Sequence, residues 1–250
     1  MAKRLNNMRK TLIFSIAVNG YHIQYQANLK SLVAYADRMG FSRVIVTQPK
    51  FSPMGLEVVW LKLRLVLAAL QAGYDWVIYV DADAAVRATA PNILADIDRR
   101  NAFFAAKGYS GRINSGVLVF RRCSESIRLL ETILQHREMC LPAQDDVGWG
   151  ENGHVIHFSR EFPLLEILDP RWNNNSDPDL DDYIRHYSAG PMRAHFKVSR
   201  SAHLGYLCYH YVLAVYARLA HWGPASVTLG PQLDALTAST LHKYPLFLTP

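Results

Sequence analysis

Short apolar runs alternate with helix-like stretches in the first half of the chain, and this alternation constrains the fold more than any other feature. Residues 11–18 form a continuous apolar run rich in β-branched side chains, as in a strand covered on both faces. The same pattern predicts strands at 43–47, 76–80 and 115–120 and helices at 24–39, 58–72, 91–99 and 125–137. Strands that alternate with helices are typical of βαβ units. We therefore predict an α/β fold with a mostly parallel central sheet flanked by helices.

Composition excludes several classes of protein. Half of the 250 residues are hydrophobic, which excludes a disordered chain, and no apolar run approaches the roughly eighteen residues of a membrane span. The net charge of +6 suits anionic partners such as phosphorylated metabolites, nucleic acid or an anionic membrane. The 3 cysteines contain no C-x-x-C pair, so we expect reduced thiols and a cytoplasmic protein.

The second half of the chain differs from the first in composition. Residues 142–200 are rich in Asp, Asn, Gly, His and Pro, as in a binding region or a lid. Residues 155–158 read as a short strand, which would turn His154 and His157 to opposite faces. Residues 203–222 are helical in period and unusually aromatic. For them we favour a packed helix over one that lies in a membrane interface, since the polar face has few cations.

The sequence Asp81-Ala82-Asp83 is the sharpest local feature. It directly follows the predicted strand at 76–80, and ligands of open α/β sheets bind beyond the carboxyl ends of the strands. Two carboxylates at this spacing can share Mg²⁺ or Mn²⁺, which can in turn bridge the oxygens of a diphosphate. A pair of aspartates that caps the next turn is the alternative. Asp96 and Asp98 have the same spacing, but they lie on a predicted helix. Because positions i and i+2 of a helix face apart, these two carboxylates are poorly placed to share an ion.

A longer ordered series contains this motif. It reads Asp81-Ala82-Asp83, Asn114-Ser115-Gly116, Gln144-Asp145, Trp172-Asn173 and His195-Phe196. Over residues 11–200 the chain resembles the retaining GT-A glycosyltransferases, especially the group of glycogenin and the bacterial lipopolysaccharide galactosyl- and glucosyltransferases. The helix end at 35–40 and Lys62 are similar to the α-galactosyl- and mannosyltransferase relatives. The resemblance implies a GT-A fold in one domain, with a nucleotide-sugar-binding half at 1–140 and an acceptor-side half at 141–250.

The resemblance also implies a metal site. Asp81 and Asp83 would hold Mn²⁺ or Mg²⁺, with Asp81 also near the ribose, and His195 would be the third protein ligand. The family continues after this histidine with a glycine and then Lys-Pro-Trp, which this chain lacks. Lys197 or Arg200 would then replace the missing lysine at the diphosphate.

Further residues would contact the donor. The resemblance implies that Lys62 or Arg64 contacts the sugar or its phosphate, and that Asn114 hydrogen-bonds the sugar. Gln144 and Asp145 would lie at the far face of the anomeric carbon. From the residues alone, Tyr21 follows the first strand, where a uracil ring could stack on it, although an ordinary core or surface tyrosine explains it equally well.

These expectations define a glycosyltransferase that moves a hexose from a nucleotide sugar, expected to be UDP-linked, to a glycan or glycolipid with retention. Retention could use the leaving phosphate oxygen as base or a carboxylate nucleophile, for which Asp145 is the candidate. We expect no nucleic-acid partner, and peripheral contact with the inner face of a membrane stays open. By family analogy, the acceptor would belong to a bacterial cell-surface polysaccharide or lipopolysaccharide.

Two other functions remain as alternatives. A sugar-nucleotide nucleotidyltransferase usually has a glycine-rich loop after the first strand, and residues 18–22 contain a single glycine. A non-catalytic carbohydrate- or nucleic-acid-binding module fits the positive charge and the aromatic residues, but no basic cluster interleaved with aromatics supports it.

Overall fold

The computed structural model describes residues 10–219 and 229–250. The strands are β1 (Thr11–Ile16), β2 (Ser42–Val46), β3 (Trp76–Val80), β4 (Ala84–Val86), β5 (Phe103–Lys107), β6 (Ile113–Arg121), β7 (Leu165–Ile167) and β8 (Ile184–His186). The helices are α1 (Tyr21–Gln24), α2 (Gln26–Met39), α3 (Leu61–Ala72), α4 (Ser124–Gln135), α5 (Asn152–Ser159), α6 (Arg200–Leu219) and α7 (Leu229–Lys243). Short 3₁₀ turns lie at Gly55–Trp60, Ile93–Ala95, Pro170–Asn173, Pro191–His195 and Pro245–Phe247.

A six-stranded sheet in the order β2-β1-β3-β6-β5-β7 forms the centre of the structure. β1 pairs in parallel with β2 and β3, whereas β6 runs antiparallel to β3 and β5. The reversed direction of β6 brings its beginning to the edge where β1 and β3 end. There the backbone amide of Asp81 donates to the carbonyl of Gly116 at 2.7 Å. The predicted α/β fold with a mostly parallel sheet is confirmed.

Side chains of β1 point alternately to the two faces of the sheet, and each face carries its own apolar cluster. Leu12 and Phe14 belong to the cluster that contains the inner faces of α3, α4 and α7. Ile13 belongs to the cluster on the opposite face, which contains the inner face of α2. All three side chains are fully buried. A strand with both faces covered explains the continuous apolar run in the sequence.

Two predicted elements differ from the structure. The predicted helix at 91–99 is only the 3₁₀ turn Ile93–Ala95, because short polar side chains such as Asn92 accept hydrogen bonds from nearby backbone amides instead. The predicted strand at 155–158 is part of helix α5, so His154 and His157 lie one turn apart rather than on opposite faces. Four apolar residues in a row do not distinguish a buried helix from a strand.

α6 carries most of the aromatic segment, and residues 220–222 of the predicted helix lie outside the described part of the chain. One side of α6 packs on the protein through the rings of Tyr206 and Tyr209, which contact Tyr21 and His22. Its described side chains are nevertheless all partly or fully exposed, so the helix packs less closely than the sequence predicts. Among the described helices, none has the length and apolar character needed to cross a bilayer.

Candidate metal and donor site

Two adjoining cavities lie at the edge of the sheet where β1 and β3 end. The first, here the α6 cavity, has a volume of about 770 Å³ and extends from Asp81 to the inner side of α6. The second, here the β6 cavity, has a volume of about 500 Å³ and extends to the beginning of β6. Asp81, Asp83, Tyr21 and Trp149 border both. Volumes of this size are typical of small-molecule sites.

Asp81, Asp83 and His186 meet where the two cavities join. His186 Nε2 lies 3.1 Å from Asp83 Oδ1 and 3.6 Å from Asp81 Oδ2. The two aspartates stand in the turn between β3 and β4, and the pairing of Ala84 with His186 brings the end of β8 beside them. One potential ligand atom from each residue lies within 4.8 Å of the other two. Within 10–219 and 229–250, this is the single such cluster of three His, Cys, Asp or Glu side chains.

Asn173 orients the imidazole of His186. Asn173 Nδ2 donates to Asn114 Oδ1 at 2.9 Å, so the amide turns its oxygen toward His186 Nδ1, 2.8 Å away. Nδ1 of His186 is therefore the protonated nitrogen of the neutral ring, and Nε2 directs its lone pair at the carboxylates. Metal-binding histidines are commonly oriented by such a second hydrogen bond.

The charges in this cluster shift one another's pKa. Burial acts to lower the pKa of His186, but the Asp83 and Asp81 carboxylates raise it above its usual value. Burial acts to raise the pKa of Asp83, but His186 and Arg193 lower it overall. The site therefore attracts positive charge, whether a proton on His186 or a cation between the carboxylates.

Gly116 on β6 makes room for the histidine. A Cβ atom at this position would lie 2.1 Å from Cε1 and 2.5 Å from Nδ1 of His186, which is inside van der Waals contact. Any larger residue would displace the imidazole. The Asn114-Ser115-Gly116 segment thus supports the cluster sterically as well as through Asn114.

Lys62 lies below the cluster, fully buried. Its Nζ lies 2.8 Å from Glu151 Oε1 and 3.3 Å from Asp81 Oδ1. Ser115 Oγ donates to the same oxygen of Glu151 at 2.6 Å. The ammonium group therefore ties α3 to the end of β3 and to the segment before α5, and it neutralises part of the acidic charge.

Some sequence-predicted residues lie in this region and some do not. Asn114, Lys62 and Tyr21 line the β6 cavity. Arg64, which shares a helix with Lys62, points away and pairs with Asp234. The sequence offered Lys62 and Arg64 as alternatives, and the structure brings only Lys62 to the aspartates.

His195, Lys197 and Arg200 do not lie with the aspartates. All three are exposed, and none lines either cavity. His186 occupies the position beside Asp81 and Asp83 that the sequence assigned to His195, because β8 pairs with β4 there. The cation nearest to Asp83 in this segment is Arg193, whose Nη1 lies 3.8 Å from Asp83 Oδ2 and donates to the Tyr25 hydroxyl at 2.5 Å.

Gln144 and Asp145 are also separate from the cavities. Asp145 is fully buried, with Oδ2 2.8 Å from His157 Nδ1 and Oδ1 paired with Arg160, so it fastens a turn to α5. The acidic side chain that lines the β6 cavity from this part of the chain is Glu151, followed by Asn152. The sequence analysis missed both, although Glu151 stands only six residues after Asp145 and Asn152 only eight residues after Gln144.

Comparison with known proteins identifies the fold. No family profile and no curated protein matches the sequence. The structure is similar to a glycosyltransferase involved in the glycosylation of the major capsid of PBCV-1, with a TM-score of 0.58 and 13% identity over 74% of this chain and 97% of the other. The chain has the GT-A glycosyltransferase fold. The glycosyltransferase GlyE of Streptococcus pneumoniae TIGR4 also has a similar structure, with a TM-score of 0.51 and 15% identity over 94% of this chain. The chain spans 64% of the length of GlyE.

The GT-A fold supplies the frame for the cluster described above. Asp81 and Asp83 lie directly after β3, at the carboxyl edge where ligands of open α/β sheets bind. The resemblance in the sequence and the similarity of the folds therefore agree on the architecture.

Proposed function

We propose that this chain is a metal-dependent glycosyltransferase that moves a hexose from a UDP-linked sugar to a glycan or a lipid-linked acceptor with retention of configuration. The observation that carries this proposal is the Asp81–Asp83–His186 cluster at the junction of two cavities in a GT-A fold. Cytoplasmic localisation is part of the same proposal.

The donor set fits a divalent cation. Two carboxylates and one imidazole, whose Nδ1 is hydrogen-bonded to Asn173, present three ligand atoms within 4.8 Å of one another. Carboxylate oxygens suit Mn²⁺ and Mg²⁺, and the imidazole favours Mn²⁺ of the two. When bound, the ion neutralises the charge that develops on a departing diphosphate.

Arg193 is the residue that we assign to the diphosphate. It lies beside Asp83, lines the β6 cavity, and keeps 45% of its side chain exposed, so its guanidinium can receive an anion. Its hydrogen bonds to Tyr25 and to the carbonyl of Tyr187 hold it in place. This assignment replaces Lys197 and Arg200.

We assign different parts of the nucleotide sugar to the two cavities. Tyr21 borders both, and we assign it to the base. Asn114 and Asn152 line the β6 cavity, where polar side chains can bind the hydroxyl groups of a sugar. Lys62 acts by holding Asp81 and Glu151 in position, because its own charge is already paired.

The ion pairs of the acidic side chains in the β6 cavity indicate which mechanism of retention is favoured. The acidic side chains that line the β6 cavity are Asp81, Asp83 and Glu151. The first two contact His186, and Glu151 is paired with Lys62 and Ser115, which lowers its reactivity as a nucleophile. We therefore favour attack by the acceptor on the face from which the diphosphate leaves, with a phosphate oxygen as base, over a glycosyl-enzyme on Asp145.

A panel of nucleotide sugars tests the proposal without a known acceptor. We expect slow hydrolysis of at least one UDP-hexose in the presence of Mn²⁺, and its loss with EDTA. Asp83→Asn should abolish hydrolysis, whereas Asp234→Asn, in a surface pair with Arg64, should not. If no nucleotide sugar is hydrolysed and no nucleoside diphosphate binds in the presence of metal, the proposal is wrong.

A further inference from the structure

The outer side of α6 is an exposed apolar stripe. Its members are Leu204, Leu207, Tyr211, Val212 and Val215, with exposed fractions of 62%, 50%, 73%, 55% and 39%. Leu204, Leu207, Tyr211 and Val215 recur at steps of three and four residues and therefore share one side of the helix, and Val212, three residues before Val215, lies beside them. The opposite side, which includes Tyr206 and Tyr209, packs on α1 and on Phe51.

Such a stripe is unusual for a surface that faces water. Single exposed apolar residues are ordinary, but contiguous apolar patches mark surfaces that contact a protein, a ligand or a membrane. Half of the large hydrophobic residues that are exposed in the described chain lie on this one helix. The stripe therefore needs a partner that accepts apolar side chains.

The charges around the stripe indicate the chemistry of that partner. Residues 184–219 contain five lysines and arginines and no aspartate or glutamate. Arg185 and Arg193 pair with Asp182 and Asp83, which leaves Lys197, Arg200 and Arg218 for the stripe. Lys197 and Arg200 are exposed just before the stripe begins, and Arg218 is exposed just after it ends. The apolar side chains thus lie between cationic groups, which complement a negatively charged surface.

We propose that α6 docks on an anionic lipid bilayer, with the stripe inserted among the acyl chains and the cations at the phosphate groups. Tyr211, the most exposed member, combines an apolar ring with a hydroxyl and suits the boundary between lipid and water. Basic residues next to an apolar helix face strengthen binding to anionic lipid.

A second copy of the chain fits the stripe less well. Two identical helices packed antiparallel about a two-fold axis would bring the Arg200 end of one against the Arg218 end of the other. Like charges would then meet at both ends of the contact. The charge distribution therefore favours a lipid surface over self-association.

Docking in this orientation has a consequence for the acceptor, which rests on the proposed function. The inner side of α6 lines the α6 cavity through Tyr206, His210 and Leu213. One helix would then separate the bilayer from the cavity that reaches Asp81. A lipid-linked acceptor at the membrane surface would be close to the donor.

Vesicle sedimentation tests the docking independently of any activity. We expect the full chain to bind vesicles made of equal parts of phosphatidylcholine and phosphatidylglycerol, and to bind phosphatidylcholine alone much more weakly. Leu207→Glu should weaken binding at least about tenfold, because it places a charge among acyl chains. Lys197→Glu combined with Arg200→Glu should reduce binding to the anionic vesicles specifically.

Leu248→Glu is the matched control. Leu248 is 49% exposed, against 50% for Leu207, and it follows the 3₁₀ turn Pro245–Phe247 rather than belonging to α6. Circular dichroism and thermal unfolding check that each variant is folded. Equal binding of wild type and folded Leu207→Glu would overturn the proposal, as would a wild type that ignores anionic vesicles. A wild-type dimer that Leu207→Glu dissociates, without vesicle binding, would assign the stripe to a second copy instead.

Discussion

The ammonium group of Lys62 lies 2.8 Å from Glu151, and both side chains are almost completely buried. The same ammonium lies 3.3 Å from Asp81, so one cation holds a carboxylate from the loop before α5 and another from the end of β3. Burial acts to lower the pKa of Lys62, but Asp81 and Glu151 raise it above its usual value. The lysine therefore stays charged and holds Asp81 and Glu151 together beneath the proposed metal site.

Removal of this cation should destabilise the protein strongly. Lys62→Met leaves Glu151 buried without its partner, and breaking a buried pair in this way costs about 3–5 kcal/mol of unfolding free energy. Arg64→Met, two residues away on the same helix, removes only a surface pair with Asp234 and should cost less than about 1 kcal/mol. Urea denaturation of both variants measures the difference, and equal losses would contradict the structural role of Lys62.

Metal binding should depend on His186 and not on His195. His186→Gln should weaken Mn²⁺ binding at least about tenfold, because the Nε2 ligand beside Asp83 is lost. His195→Gln, on an exposed turn, should bind Mn²⁺ as the wild type does. Titration calorimetry with Mn²⁺ and UDP measures both affinities, and the reverse result would restore the assignment made from the sequence.

Asp145 and Glu151 should differ in how they affect activity. Asp145→Asn weakens the contacts with His157 and Arg160 and should lower stability by about 1–3 kcal/mol, with donor hydrolysis by the folded protein retained. Glu151→Gln changes a group inside the β6 cavity and should lower the hydrolysis rate. Hydrolysis measured well below each variant's unfolding temperature separates the two effects. Loss of activity in folded Asp145→Asn alone would support a nucleophilic role for it.

Alkaline pH should destabilise the fold through its buried tyrosines. Burial raises the pKa of Tyr35 to about 12, and its hydroxyl donates to the carbonyl of Pro91 at 2.9 Å. An unfolded tyrosine ionises near pH 10, so the stability from the neutral phenol is complete below pH 10 and is lost as the pH rises toward 12. The loss amounts to about 1.4 kcal/mol per pH unit for this residue.

Urea denaturation between pH 8 and pH 12 checks this expectation. Tyr35→Phe should be less stable than the wild type at pH 8 by about 1–3 kcal/mol, because two hydrogen bonds are lost. Its stability should then fall less steeply above pH 10. Parallel curves for the two proteins would show that Tyr35 does not contribute to the alkaline transition.

The elements that the sequence predicts well are those whose signal is local. β1 and β3 are short apolar runs with both faces covered, and such a run has few alternatives inside an α/β protein. Asp81 and Asp83 belong to the same local signal, because they directly follow β3. The predicted strand at 155–158 was wrong because its apolar run was too short to reveal a helical period.

The residues that the sequence misplaced depend on contacts between distant segments. His186 reaches Asp83 through the pairing of β8 with β4, over 103 positions of the chain. Glu151 reaches Lys62 from the loop before α5, and Arg193 reaches Asp83 from a 3₁₀ turn. No periodicity in residues 142–200 predicts these contacts, because irregular segments are positioned by the elements on which they pack.

The sequence by itself determined the α/β architecture and the position of the paired aspartates at the end of a strand, because apolar periodicity and strand ends are properties of neighbouring residues. The tertiary structure decided which histidine, which arginine and which second acidic residue join those aspartates. That choice depends on strand pairing, on the room that Gly116 leaves for His186, and on which charges are buried together. These are relations between segments that meet only in the folded chain.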